Sequence, residues 1–426
     1  MKLKKMFLSV LALFLALNCF AEEENTKFLL SVEDAVSLAK ENNISIKTAK
    51  NFLKNLETVN RYSWNSVAPT ANLRGDFNEN LEDNTSSYGI TGSVSMSLSS
   101  NLYSSIQAAK LNYKKGLLSY EEAERTIELN VRKSFYKIIL DQEKLMLKKR
   151  NLSTSYEQYQ NNQEKFKNGK ISELDAFTSR VNYESKKPDV EDAETTLINE
   201  MASFKQILGI PLNQEIELKG NLDSVLKLKA VSVENLPKVQ EEAPDVQKAE
   251  YDVDIAKNQL LSSRFSAYGP TVTGGYSYGK SKGYSGNETT TNQLSFGVNI
   301  PLDGALPWST KSAQIKANKN ALNTAELNLE NTKTSVAVQT ESYIRKINQA
   351  LSMISSLKET EQLASKTYEM SKTAYNYGKT DLLTLQSASD AVLNAGVNLK
   401  SQAYTLLTSV LELEDLLGLK FGTLEK

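Results

Sequence analysis

Residues 106–127 read IQAAKLNYKKGLLSYEEAERTI, and residues 315–336 read IKANKNALNTAELNLENTKTSV. In the first stretch Ile106, Tyr113, Tyr120 and Ile127 stand seven apart, and a shift of 209 residues carries them onto Ile315, Leu322, Leu329 and Val336. The same shift carries Gly169 onto Gly378 and Leu208-Gly209 onto Leu417-Gly418. Solenoid repeats recur every 20–50 residues or so. An offset this much longer marks a half-protein used twice. The seven-residue spacing continues through Val131, Ile138, Leu145, Leu152, Tyr159 and Phe166, and in the second half through Ile347, Ile354, Tyr368 and Tyr375. Sustained heptads predict left-handed coiled coils. The span 104–168 holds no proline, and at 1.5 Å per residue it would run roughly 95 Å. Gly169 and Gly378 are read as C-caps. A return helix follows each of them, about 172–208 and 382–417, closing at Gly209 and Gly418. The first is expected to be interrupted near Pro188.

Upstream of each long helix the period becomes two. Ala71, Leu73, Gly75 and Phe77 alternate with Asn72, Arg74 and Asp76, and Ile90, Gly92, Val94, Met96 and Leu98 alternate with Thr91, Ser93, Ser95 and Ser97. This predicts a β-hairpin with its turn in Glu79–Ser87. The second half offers strands at Thr271–Lys280 and Thr291–Leu302, with a turn in 282–290. Pro69 to Ile106 is 37 residues and Pro270 to Ile315 is 45, so the second hairpin insert is expected to be longer by eight. Helices precede both hairpins. The first pair starts at a Ser31 N-cap, and the second starts at Asp245. The division read from the chain is a signal peptide at 1–21, a first repeat at 22–209, a connector at 210–244 and a second repeat at 245–426. Strands are placed at about 70–100 and 271–302, and coiled coil at about 104–208 and 311–417.

Met1 to Ala21 has the three parts of an export signal: Lys2, Lys4 and Lys5, an apolar run from Met6 to Leu17, and small residues at Cys19 and Ala21. Lipoprotein processing at Cys19 is the alternative. No other stretch approaches about twenty apolar residues, so no membrane-spanning helix is expected. Cys19 is the one cysteine and there is no histidine. That removes histidine bases, Ser-His triads and nearly every zinc site, and the reading is of a non-enzyme without cofactor or metal. A net charge of −1 with mixed signs gives no footprint for nucleic acid. Gly274-Gly275-Tyr276-Ser277-Tyr278-Gly279-Lys280-Ser281 fits the phosphate-loop consensus. That loop needs a helix after it, and here Gly283, Ser285, Gly286 and Asn287 supply turn chemistry instead. The acidic pairs Glu121-Glu122 and Glu414-Asp415 are read as solvated faces or intersubunit partners.

Four long strands cannot close a barrel, for which about eight is the working minimum. Three copies would give twelve, an even number suited to a membrane barrel. The apolar alternation opposite Ser, Thr, Asn and Gly reads as lipid outside and water inside. A soluble sandwich or a fibrous tip stays open as the alternative. At the level of function, an exported coiled-coil scaffold, structural or lipid-anchored and without channel activity, stands beside the channel.

The duplicated hairpins, Ala68-Pro69 and Gly269-Pro270, and two helix-turn tips carry a resemblance. The tips read Gly169-Lys170-Ile171-Ser172-Glu173-Leu174-Asp175 and Tyr375-Asn376-Tyr377-Gly378-Lys379-Thr380-Asp381. Together with Ile207-Leu208-Gly209-Ile210-Pro211-Leu212, the set resembles the TolC-like outer-membrane efflux proteins, the outer membrane factors, over essentially the whole chain after the signal. The resemblance implies a mainly α fold with β: a trimeric twelve-stranded outer-membrane β-barrel continuous with a periplasmic α-helical coiled-coil barrel. It implies a passive conduit for efflux or type I secretion. The implied partners are two further copies, outer-membrane lipid, a periplasmic adaptor, and an inner-membrane pump of RND, ABC or MFS type. Carried over position by position, it makes Gly169, Lys170, Ile171, Gly378, Lys379 and Thr380 adaptor contacts. Asp175 and Tyr375 fall at the channel constriction; for Asp175 the alternative is an acid just inside a helix start that stabilises the dipole. The arginine that the family gate holds two residues after the second glycine is Thr380 here, and the second-tip aspartate is Thr384, for which Asp381 is the substitute.

Overall fold

The computed structural model describes residues 28–223, 225–227 and 236–424. The signal segment and Cys19 lie outside the described residues, as does part of the connector. The elements in order are β1 (Phe28–Leu30), α1 (Val32–Asn42), α2 (Ile44–Arg61), β2 (Thr70–Asn80), β3 (Thr85–Ser99), α3 (Leu102–Lys167), α4 (Glu173–Leu208), β4 (Ile216–Leu218), α5 (Leu236–Glu241), α6 (Pro244–Tyr268), β5 (Thr271–Lys282), β6 (Glu288–Asn299), α7 (Thr310–Asn376) and α8 (Leu382–Leu416). The chain is thus mainly helical with one substantial sheet. The described residues fall into two compact units, one within residues 1–42, 130–224 and 361–401, the other within 43–129, 225–360 and 402–426. Each unit draws on both repeats.

In the first unit β1 pairs in parallel with β4, Phe28 opposite Ile216 and Leu30 opposite Leu218. Neither strand is visible in the sequence, because three-residue strands have no period to read. Ser31 caps α1: its hydroxyl accepts from Asp34 N–H and donates to Asp34 Oδ2 at 2.6 Å. Val131, Phe135 and Ile138 of α3 are buried with Phe204 and Leu208 of α4. The Phe135 and Phe204 rings meet edge-on at 6.3 Å. Lys400 of α8 salt-bridges both Glu143, at 3.0 Å, and Asp223, at 2.9 Å, and so ties the stretch after β4 to the helices.

In the second unit β2, β3, β5 and β6 form one antiparallel sheet in that order. The two hairpins therefore join through β3 and β5. A core of Ala243, Val246 and Val336 is covered by Leu329 and Leu416. Arg125 reaches the chain's end, donating to the carbonyls of Leu419 and Glu414 and lying over the Phe421 ring. Glu414, expected on a solvated face or as an intersubunit partner, is instead fully buried within its own chain. Its carboxylate accepts from Gly422 N–H at 2.9 Å and Leu424 N–H at 2.7 Å. Glu122 pairs with Lys248 of α6.

Two expectations need correcting. Helix α4 runs unbroken through Pro188. A mid-helix proline costs one backbone hydrogen bond and a ring clash, but α4 is anchored on both sides. Tyr183 stacks on Tyr159 with the rings 4° from parallel, and Val190 is buried. Packing on both flanks outweighs the local defect, as it does for most helices in proteins. The eight extra residues of the second half are not in its hairpin. They lie after it, since Ser99 is followed by α3 at Leu102 but Asn299 by α7 only at Thr310. Pro301 cannot extend the ladder. The chain turns there instead, with Tyr268 Oη donating to Gly304 O at 2.7 Å.

Candidate functional site

Two places carry chemistry that the sequence singled out: the sheet, and the two helix tips. The register of the sheet puts Ala71 opposite Val94, Val94 opposite Tyr276 and Tyr276 opposite Leu294. One row further, Met96 faces Gly274 and Gly274 faces Phe296, and then Leu98, Val272 and Val298 align. Since directly opposed residues share a face, Leu73, Phe77, Ile90, Val94, Met96, Tyr276, Leu294, Phe296 and Val298 all lie on one side. All are exposed, Phe296 at 80%. The rows between them are Asn72, Ser93, Ser277 and Gln293, and Thr70, Ser95, Gly275 and Ser295. One face is therefore apolar across four strands and the other is small and polar. The glycine-rich run 274–281 lies inside β5 with no helix after it, so it is strand and not a phosphate loop. Among the described residues no helix is long and apolar enough to cross a membrane.

Both tips end in the same backbone device. Gly169 has φ +68° and Gly378 φ +67°. Lys170 N–H donates to Lys165 O and Lys379 N–H to Ala374 O, each at 2.8 Å. These are the six-to-one bonds of a Schellman motif, which needs a left-handed residue and so favours glycine. Nothing lies within 4 Å of where a side chain would begin at either glycine. Lys170 and Lys379 are exposed, while Ile171 and Thr380 are half-covered.

The start of each return helix is capped differently. Ser172 is the N-cap: its hydroxyl accepts from Asp175 N–H at 3.1 Å and donates to Asp175 Oδ2 at 2.8 Å. In α8, Asp381 itself is the cap, its Oδ1 accepting from Thr384 N–H at 2.7 Å. Under the 209-residue shift Asp381 is the counterpart of Ser172, and Thr384 of Asp175. The second tip has moved its carboxylate from the third helical position to the cap, where it is exposed. The Thr384 side chain first, and then its backbone N–H, holds the Asp381 carboxyl below its ordinary value.

The charge of Asp175 reaches the Tyr375 hydroxyl. Burial raises the Tyr375 hydroxyl, its bond to Asn162 lowers it, and the charge of Asp175 raises it again. Tyr375 Oη donates to Asn162 Oδ1 at 2.9 Å, and Lys165 Nζ lies 4.7 Å from its ring centroid. Asn162 and Lys165 were missed in the sequence. The signal was there: Ser155 and Asn162 stand seven apart on a seam where apolar residues are the default. Both are buried.

The chain matches the outer membrane efflux protein family over residues 55–210 and 235–419. It belongs to that family. Among curated outer-membrane efflux relatives, it is 21% identical to outer membrane protein TolC of Vibrio cholerae serotype O1 over 369 residues, 84% of this chain and 83% of that one. Escherichia coli TolC is 23% identical over 319 residues, which are 71% of this chain and 63% of the relative. The fold is shared with the CusC structure, with a TM-score of 0.77 at 16% identity, covering 95% of this chain and 96% of the other. The Campylobacter jejuni CmeC outer membrane channel gives a TM-score of 0.78 at 18% identity, over 93% and 86% of the two chains. As a member of the outer membrane efflux family, the protein is an outer-membrane channel of efflux systems with a periplasmic helical part. The exported scaffold without channel activity finds no support in these likenesses. The family is non-enzymatic, and TolC-like channels are homotrimers that work with adaptors and inner-membrane pumps.

Proposed function

We propose that three copies of this chain close their four-stranded sheets into one twelve-stranded barrel. The assembly would be the passive exit duct of a tripartite efflux or type I secretion system. The carrying observation is the sheet itself. Its apolar face is continuous over all four strands, and β2 and β6 each pair on one side only. An exposed apolar face and two open edges are costly in water. Lipid relieves the first and neighbouring copies relieve the second, and a barrel does both.

At the helix tips, Gly169, Lys170, Ile171, Gly378, Lys379 and Thr380 form the contact for a periplasmic adaptor, which links the duct to an inner-membrane pump of RND, ABC or MFS type. The support is the pair of matched Schellman turns, each presenting an exposed lysine on rigid backbone with open space around it. Asp175, Tyr375 and Asp381 form the constriction. The support for the first two is that the Asp175 charge acts on the Tyr375 hydroxyl. Asp381 has the weaker case, because its carboxylate is engaged with Thr384.

Purified protein in detergent should have the mass of three chains by light scattering and should give discrete conductance steps in a planar bilayer. A monodisperse monomer that keeps its β signal would overturn the reading.

A further inference from the structure

The register of the sheet fixes which strand side chains share the polar face. Taking every second residue from Thr70, Thr85, Thr271 and Thr289, that face is built from Ser, Thr, Asn, Gln and Gly. Two residues break the pattern, Arg74 and Asp76. The other charged residues of these strands, Glu79, Lys280, Lys282 and Glu288, stand on the apolar face, each within two residues of the turn end of its strand. Arg74 and Asp76 pair with each other, Arg74 Nε lying 2.6 Å from Asp76 Oδ1. The Arg74 side chain is 79% exposed and that of Asp76 is half-covered. Their rows hold nothing of comparable reach. Arg74 stands level with Thr91, Gly279 and Thr291, and Asp76 with Gly89, Ser281 and Thr289.

We propose that this pair keeps the β part of the duct electrically balanced, so that anionic, cationic and zwitterionic solutes pass it alike, and that Arg74 and Asp76 are its determinants of charge preference. This rests on the twelve-stranded reading above. Residues two apart on a strand lie on one face, about 7 Å along it. Three copies then set a ring of three arginines beside a ring of three aspartates, the aspartates nearer the turns. Each guanidinium is neutralised by a carboxylate of its own chain, and the rest of the polar face offers only neutral dipoles. A passing ion meets no net fixed charge at this level. Loss of one partner changes that. Three like charges then face the lumen, and hydroxyls and glycines along the same rows do not offset them. An exposed ion pair adds little to stability, so its loss should leave assembly intact.

Reversal potentials of purified channels in planar bilayers, with potassium chloride unequal on the two sides, read the preference. In about 0.1 M salt fixed charges act over about 10 Å. There Arg74→Gln should raise the ratio of cation to anion permeability about two- to fivefold. Asp76→Asn should lower it by a similar factor, and the double variant should return to the parent value. Both shifts should shrink in about 1 M salt, where the range falls to about 3 Å. The helical part and the tips are the same in every variant, so the difference from the parent reports the pair. A ratio that moves with neither single change overturns the proposal. So do shifts of the same sign in both, which a change of duct shape would give. Absence of conductance steps in the parent overturns the barrel reading instead. If a single variant fails to assemble, Thr91→Glu and Thr91→Lys place one charge of either sign at the Arg74 level with the pair intact. They should give the cation shift and the anion shift in turn, and an unmoved ratio there also overturns the proposal.

Discussion

The Tyr375 hydroxyl lies 2.9 Å from Asn162 Oδ1 and joins the last turn of α7 to α3. Asn162 is 1% exposed, and its Nδ2 has no partner among the described residues. The pair is thus a polar contact inside a coiled-coil core that is already short of one hydrogen bond.

Tyr375→Phe should loosen this tip. It keeps the ring beneath Lys165 but leaves Asn162 with neither end satisfied. An unpaired buried polar group costs about 1–3 kcal/mol. Resting conductance in a planar bilayer should rise, and the turn at Gly378 should be cut faster by limited proteolysis. A variant as tight and as resistant as the parent would reduce the bond to incidental packing.

Asp175 has two roles that mutation can separate. Its carboxylate accepts from the Ser172 hydroxyl, and its charge acts on the Tyr375 hydroxyl. Ser172→Ala removes the cap and keeps the charge; Asp175→Ala removes the charge and leaves the Ser172 hydroxyl still accepting from the backbone N–H at 175. Ser172→Ala should weaken the start of α4 by about 1 kcal/mol, the usual worth of such a cap. Only Asp175→Ala should raise resting conductance. Equal conductance in the two variants would leave Asp175 as a helix cap alone.

Asp381 predicts a pH dependence. Its folded carboxyl sits below the ordinary 3.8 because Thr384 bonds the ionised form. The sign follows from linkage: the contribution is complete above 3.8 and is lost as pH falls through the lower, folded value. Amide exchange at Thr384, compared at each pH with that of Asp381→Asn, should show wild-type protection fading at the acid end. The asparagine cap should hold level. Parallel curves would mean that the carboxylate adds nothing beyond a neutral cap.

The heptads and the period-two runs made both coiled coils and all four long strands legible, because each spans enough residues for its period to repeat. The sheet's apolar face followed from that alternation. What stayed hidden was set by contacts across the chain. Pro188 reads as a break until the Tyr159–Tyr183 stack and buried Val190 are seen on either side of it. The role of Glu414 depends on Gly422 and Leu424, which fold back onto it. Residues 300–309 reveal themselves as the insert only once Asn299 is known to end its strand. At the tips Asp175 and Tyr375 stood out from the family pattern, but Asn162, which ties Tyr375 to α3, did not.

The hairpin turns should face the cell exterior. Both are short and polar: Asn84 adopts φ +51°, and Gly286 N–H closes on Gly283 O at 2.9 Å. The opposite ends of the strands lead into the helices. A short epitope inserted at Asn84 or Asn287 should be reached by antibody on intact cells. Labelling only after the outer membrane is opened would reverse the orientation.

Adjacent residues of β3 give the sharpest test of which face meets lipid. Val94 lies between Ala71 and Tyr276 on the apolar side, and Ser93 lies between Asn72 and Ser277 on the other. Both are mid-strand in an inner strand of the sheet, so backbone pairing is the same for each. An arginine facing lipid near the bilayer midplane costs about 2–4 kcal/mol, whereas one facing a water-filled lumen costs little. Val94→Arg should therefore lower the amount of protein in the outer membrane and the heat resistance of its oligomer. Ser93→Arg should assemble normally and shift ion selectivity toward anions, because it adds positive charge to the duct. If Ser93→Arg is the variant that fails to assemble and Val94→Arg the one that changes selectivity, the apolar face lines the interior and the barrel is inside out.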